Sequence, residues 1–242
     1  MRLKVIILFV AVLIAISAGA IKIASKVQEQ SSLSQTMPEK GRLKWHAQKA
    51  KAKGQQEVFL SGPIVEYDGS ASSISTDELL SDYTVVEARP IDARSSFSDS
   101  NEIITWYKFK ILDTLSRQNS PACNSCPTPE PPQELLPLQV DEFLVSKVGG
   151  SLMIDGVKVT MLEGGFPPFK INQEYLLFIS KHESGVTEIA GGPIGVFNIT
   201  GDGALTPINS QPHPIKERIV KNLGDSLDKV RGKLKTRTAI QP

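Results

Sequence analysis

Cysteine is nearly absent from this chain. Cys123 and Cys126 are the only two in 242 residues, so any intramolecular disulfide joins that pair. Histidine is as scarce: His46, His182 and His213 are scattered and complete no ordered zinc-ligand spacing with the two cysteines. No G-x-S-x-G occurs, which removes the nucleophile-elbow signature. Carboxylates are plentiful, but no pair of them stands in a recognisable acid–base motif. Gly191-Gly192-Pro193 and Gly201-Asp202-Gly203 precede no helix pattern and read as turns, not phosphate cradles. There is no internal repeat. The formal net charge is only +1, so no global field of one sign selects a partner.

The first feature present in strength is an export segment. Arg2 and Lys4 open the chain, Val5 to Ile16 is unbroken apolar sequence, and Ala18-Gly19-Ala20 supplies small residues. This order is that of a secretory signal peptide. Through Ile21 the run also approaches the ~20 residues of a membrane-spanning helix, and Lys22 and Lys26 follow closely. Residues 1–24 are therefore a cleaved signal or a retained anchor, and both place the rest of the chain outside the cytoplasm. Export removes nucleic acid from the expected partners.

The charge is unevenly spread. Lys40, Arg42, Lys44, Lys49, Lys51 and Lys53 form a basic run without an acid, in a stretch rich in the good helix formers Lys and Ala and ended by Gly54. Residues 25–54 thus read as a polar spacer followed by a basic helix with little to bury. That helix is either a solvated face near the membrane or a contact for an anionic membrane surface. Trp45, within the run, reads as an interfacial anchor or as a residue packed on its own domain. From Gln55 to Tyr107 acids dominate, with only Arg89 and Arg94 against them.

The central texture is β. Val58 to Leu60, Tyr83 to Ala88, Ile103 to Leu112, Glu142 to Val148, Ser151 to Met161, Tyr175 to Ile179, Val186 to Ala190, Gly195 to Thr200 and Ala204 to Ile208 read as strands, with a short helix capped by Thr76. Tyr83 to Ala88 is expected to end near Pro90, with a polar turn over Ser95 to Asn101. Asp155-Gly156 marks a hairpin, and the Tyr175 run is apolar enough for a central strand. Many short strands between regular turns indicate a barrel or a sandwich. In the tail, Ile215, Ile219, Leu223, Leu227, Val230 and Leu234 recur at helical spacing with lysines and arginines between them, an amphipathic helix weakened at Gly224 and Gly232.

Cys123-x-x-Cys126 sits in a loop dense in proline, residues 119–137. Haem attachment needs a histidine where Pro127 stands, and prolines 121, 127, 129, 131 and 132 deny the pair the helix N-terminus of a redox motif. A structural disulfide in an oxidising compartment is the leading expectation, with redox chemistry or a shared metal as alternatives. Asn198-Ile199-Thr200 matches a glycosylation acceptor pattern but falls in an expected strand.

The order of pieces around Glu78-Leu79-Leu80, Thr84-Val85-Val86, Tyr107 to Leu112, Tyr175-Leu176-Leu177-Phe178, Gly191-Gly192 and Gly195-Val196-Phe197 resembles the exported bacterial domains related to the netrin and tissue-inhibitor-of-metalloproteinases group. The resemblance covers about Leu79 to Ile208 and implies an OB-like antiparallel β-barrel. Protease inhibitors of that group chelate zinc through an N-terminal cysteine. No cysteine precedes Cys123, so that mechanism carries over to no residue here.

The chain is thus read as an OB-like β-barrel, or alternatively a β-sandwich, over residues 55–211. A basic helix precedes it, and an amphipathic C-terminal helix and tail follow over 212–242. The expected function is an exported, non-enzymatic binding module of the cell envelope, with a protein or envelope component as partner and no cofactor. An extracytoplasmic thiol-redox or other enzyme using Cys123 and Cys126 is the alternative.

Overall fold

Residues 41–62, 76–98, 102–117, 130–181, 186–208 and 214–238 are described by the computed structural model. The export segment, the spacer and the Cys123/Cys126 pair lie outside them. The chain from Leu43 to Pro242 forms one compact unit, mainly β with antiparallel sheets.

Two long strands, β2 (Thr84–Phe97) and β3 (Ile103–Ser116), make its spine. They pair antiparallel from Val85↔Ser116 to Phe97↔Ile103, with register shifts at Val85/Val86, Glu87/Ala88 and Pro90/Asp92. β2 therefore runs through Pro90 and takes up the first residues of the expected polar turn, Ser95 to Phe97. Proline is accommodated where the pairing shifts, since it has no N–H to give the ladder. β4 (Glu142–Val148) flanks β3. On the far side of β2 lies β7 (Tyr175–Lys181), which pairs in turn with β8 (Thr187–Ile189) and with β9 (Val196–Ile199), and β10 (Leu205–Pro207) closes that edge. The four strands β7-β2-β3-β4 lie in the order of a Greek key.

β7 explains its own sequence. Tyr175, Leu177 and Ile179 face one core and Leu176 and Phe178 the other, so an apolar run is required where alternation would otherwise stand. The first core is aromatic: Tyr107, Phe109, Phe143, Phe166, Phe169 and Tyr175 pack ring against ring. Phe166 and Phe169 arrive on the loop after β6 (Val157–Leu162), and the Lys170 N–H donates to the Tyr175 hydroxyl at 2.9 Å. Outside β3 and β4, Leu135 covers Trp106 and Leu144 in a smaller cluster.

The second core faces helices. The short helix α2 (Thr76–Asp82) brings Leu79 and Leu80; α3 (Pro214–Leu223) brings Ile219 and Leu223; α4 (Leu227–Thr238) brings Leu227, Val230 and Leu234. The tail stripe docks as its periodicity requires, but through two helices instead of one. The break is at Gly224, whose φ of +105° is left-handed territory that glycine enters without penalty. Leu223→Asp places an unpaired carboxylate in this core, where Leu223 is 2 % exposed. It should cost roughly 3 kcal/mol or more and lower the melting temperature clearly, while Lys221→Asp on the exposed side should change it little. Equal shifts in thermal melts would contradict this packing.

A separate three-stranded sheet has the order β1-β6-β5. β5 (Gly150–Ile154) and β6 form the hairpin at Asp155-Gly156, both residues at positive φ as a tight hairpin turn demands. β1 (Glu57–Ser61) joins β6 in parallel. The basic helix α1 (Arg42–Ala52) lies on this sheet. Leu43, Ala47 and Ala50, spaced for one helical face, are buried with Val157, Val159, Met161 and Ile103. The expectation that this helix buries little is corrected. Two of its three buried residues are alanines, so its apolar stripe is weak in hydropathy but narrow enough to seat closely.

Candidate functional site

Two arrangements in the described residues have more than packing to offer. The first is the outward side of α1. Burying Leu43, Ala47 and Ala50 fixes the helix's rotation, and Trp45, two residues or about 200° from Leu43, is carried to the far side. Trp45 is half-buried, its ring met edge-on by His46 at 4.8 Å and overlain by the Lys49 ammonium at 4.6 Å. Arg42, Lys44, Lys49, Lys51 and Lys53 are all exposed, and the helix has no acid. Lys51 donates to the Asp155 carbonyl at 3.0 Å, tying the helix to the β5–β6 turn. Of the basic run, only Lys40 lies outside the described residues.

The second is a buried ion pair. Along β4, Phe143 and Val145 point into the aromatic core, and Lys147 takes the next inward position. Its ammonium meets the Glu163 carboxylate at 2.7 Å, donates to the Val148 carbonyl at 3.0 Å and lies 4.6 Å from the Phe166 ring. The two side chains are only 4 % and 5 % exposed. Burial pushes the Lys147 pKa below the usual lysine value, against the hydrogen bond and charge of Glu163 that pull it up. Desolvation therefore outweighs attraction. Beside it, opposite Lys147 in the ladder, Thr105 donates to the Gly149 carbonyl at 2.6 Å and shares a hydrogen bond with Ser95 at 2.8 Å. This cluster joins β4 to the segment leaving β6, and so joins the two sheets.

Tyr107, Tyr175 and Glu87, three other perturbed groups, also sit in structural contacts. Burial raises the Tyr107 hydroxyl to about 12, against a backbone hydrogen bond with Phe169. Burial raises Tyr175 against its Lys170 contact. Burial likewise raises the Glu87 carboxyl, opposed by Arg231 and helped by Glu174 and Asp113. Arg231 reaches Glu87 at 2.8 Å and Asp113 at 3.2 Å, fastening α4 to the β2–β3 surface.

The sequence-derived site residues thus separate. Cys123 and Cys126 lie outside the described residues, as do His182 and His213. Asn198 is in β9, paired on both edges, with its amide 3.5 Å from the Pro207 carbonyl; a strand so placed is a poor glycan acceptor. Among the described residues no cluster of His, Cys, Asp and Glu is arranged to hold a metal ion, and no helix is long and apolar enough to cross a membrane. The Lys147–Glu163 pair forms no motif in the sequence. Its signal is a lysine two residues beyond Val145 on the face that Phe143 and Val145 turn inward. Compared with family models, with curated proteins and with solved structures, the chain shows no match.

Proposed function

We propose that this chain is an exported, non-enzymatic binding module of the cell envelope, built on a closed OB-like barrel of the netrin-related kind. The observation that carries the reading is a parallel bridge between Leu144 of β4 and Val186, the residue before β8. Val186 precedes the strand that already pairs with β7. That contact supports a closure of the Greek-key order as β7-β2-β3-β4-β8, because the OB-fold is a five-stranded Greek-key barrel. The export-like order of Arg2, Lys4, Val5 to Ile16 and Ala18-Gly19-Ala20 supports the compartment. Two buried sets of ionisable groups support the non-enzymatic part: Lys147 and Glu163 are bonded to each other, and the Tyr107 and Tyr175 hydroxyls to backbone.

Fusion after Pro242 of a reporter that works only outside the cytoplasm tests the compartment. It should be active; a silent reporter beside a working cytoplasmic one overturns the reading. Isolation of the native chain from that compartment should recover a bound envelope component. An activity lost on Cys123→Ser or Cys126→Ser at unchanged stability would instead favour a thiol enzyme.

A further inference from the structure

We infer that the outward face of α1 is a docking surface for an anionic lipid headgroup layer; the inference deepens the export reading above and rests on it. The helix cannot lie in a bilayer by its apolar side, because Leu43, Ala47 and Ala50 are buried against β6 and its neighbours. What it presents is the opposite side, where Trp45 stands between Lys44 and Lys49, with Gln48 the only other long side chain of that arc. Lys53 and Lys51 extend the positive charge toward the β5–β6 turn.

Three properties select the partner. The charge is of one sign along the whole helix, with no acid at i+3 or i+4 to neutralise it. The cations are lysines and one arginine spread along the exposed side of the helix, which suits a diffuse negative layer better than one fixed oxyanion. At their centre is a tryptophan, a ring that favours the headgroup level because one edge is apolar and the other carries an N–H donor. Lys49 over its face keeps cation and ring at the same depth. A surface of this kind binds by electrostatics with one shallow aromatic anchor, so it is reversible and salt-sensitive.

The chain has two tryptophans, and Trp106 is 1 % exposed inside the protein, so a change in emission caused by a vesicle reports on Trp45. The full chain is mixed with vesicles of brominated phosphatidylglycerol or of brominated phosphatidylcholine. Quenching should appear on the anionic vesicles at low salt, disappear on raising salt, and be lost in Trp45→Phe. Lys44→Gln with Lys49→Gln should weaken the partition about 25-fold, from roughly fivefold per lysine. Equal quenching on both lipids would overturn the inference by showing attachment through apolar sequence. So would quenching indifferent to the lysine variants, or none on either lipid. Soluble polyglutamate shifting Trp45 emission when vesicles do not would reassign the face to an acidic protein. These readouts use purified chain and do not depend on the reporter result.

Discussion

Glu163→Leu should lower the unfolding free energy by about 3–5 kcal/mol, the cost of leaving a buried charge without its partner. The Lys147 ammonium would then keep only the Val148 carbonyl and the Phe166 ring. The double variant Lys147→Met with Glu163→Leu should recover most or all of the loss. The lowered pKa of Lys147 says that burying the charge costs more than Glu163 returns, and apolar replacement of such a pair is often neutral or stabilising by about 1–4 kcal/mol. Denaturant titration of the four proteins in a double-mutant cycle measures the coupling directly. A double variant as unstable as the Glu163→Leu single would contradict the assignment.

The pH dependence follows with a definite sign. Between the lowered folded value and the ordinary lysine value, the unfolded chain binds more protons at Lys147, so this group makes stability rise with pH there. Tyr107, raised to about 12, does the reverse: the folded state holds its proton longer, and that contribution is lost as pH rises through the folded value. Removing Lys147 in the double variant should therefore abolish the rise that precedes the ordinary lysine value and leave the tyrosine loss at higher pH unchanged.

Gly150→Ala should cost about 3–5 kcal/mol from overpacking plus backbone strain. Gly150 starts β5 where the chain leaves β4 for the second sheet, at φ +134°. A β-carbon there would collide with Thr105 Oγ1 and lie 2.8 Å from Ser95 Oγ, the two hydroxyls that share the hydrogen bond beside Lys147. Gly201→Ala, where nothing approaches within 4 Å and φ is not positive, should stay within about 0.5 kcal/mol. Denaturant midpoints at constant slope distinguish the two. Similar small losses at both positions would mean that the sheet-to-sheet corner is not built as described.

Much of this fold is legible where the sequence pattern and the burial share a period. Glu142 to Val148 is found as read, the hairpin turns at Asp155-Gly156, and the tail stripe from Ile219 to Leu234 is buried. The readings that differ do so for identifiable reasons. Pro90 is tolerated within β2 because the pairing shifts there. The single tail helix divides because Gly224 adopts a conformation closed to other residues. The packing of α1 is hidden because alanines carry little hydropathy and bury by fitting. The parallel pairing of β1 with β6 joins segments about a hundred residues apart, and no local pattern encodes such a contact. For the candidate site, the basic run is plain in the sequence. The rotation that sets Trp45 outward becomes visible only once Leu43, Ala47 and Ala50 are seen to be the buried side.

Closure of the ring between β4 and β8 is what separates a barrel from an open sandwich, and the proposed module rests on it. Amide-to-amide and α-proton nuclear Overhauser contacts between Leu144 and the Val186–Thr187 segment test it most directly. The account predicts interstrand contacts of parallel type there, alongside the antiparallel set between β4 and β3. An edge of β4 that shows no such contacts, with rapidly exchanging amides on the side away from β3, would contradict the barrel and with it the resemblance on which the proposed function draws.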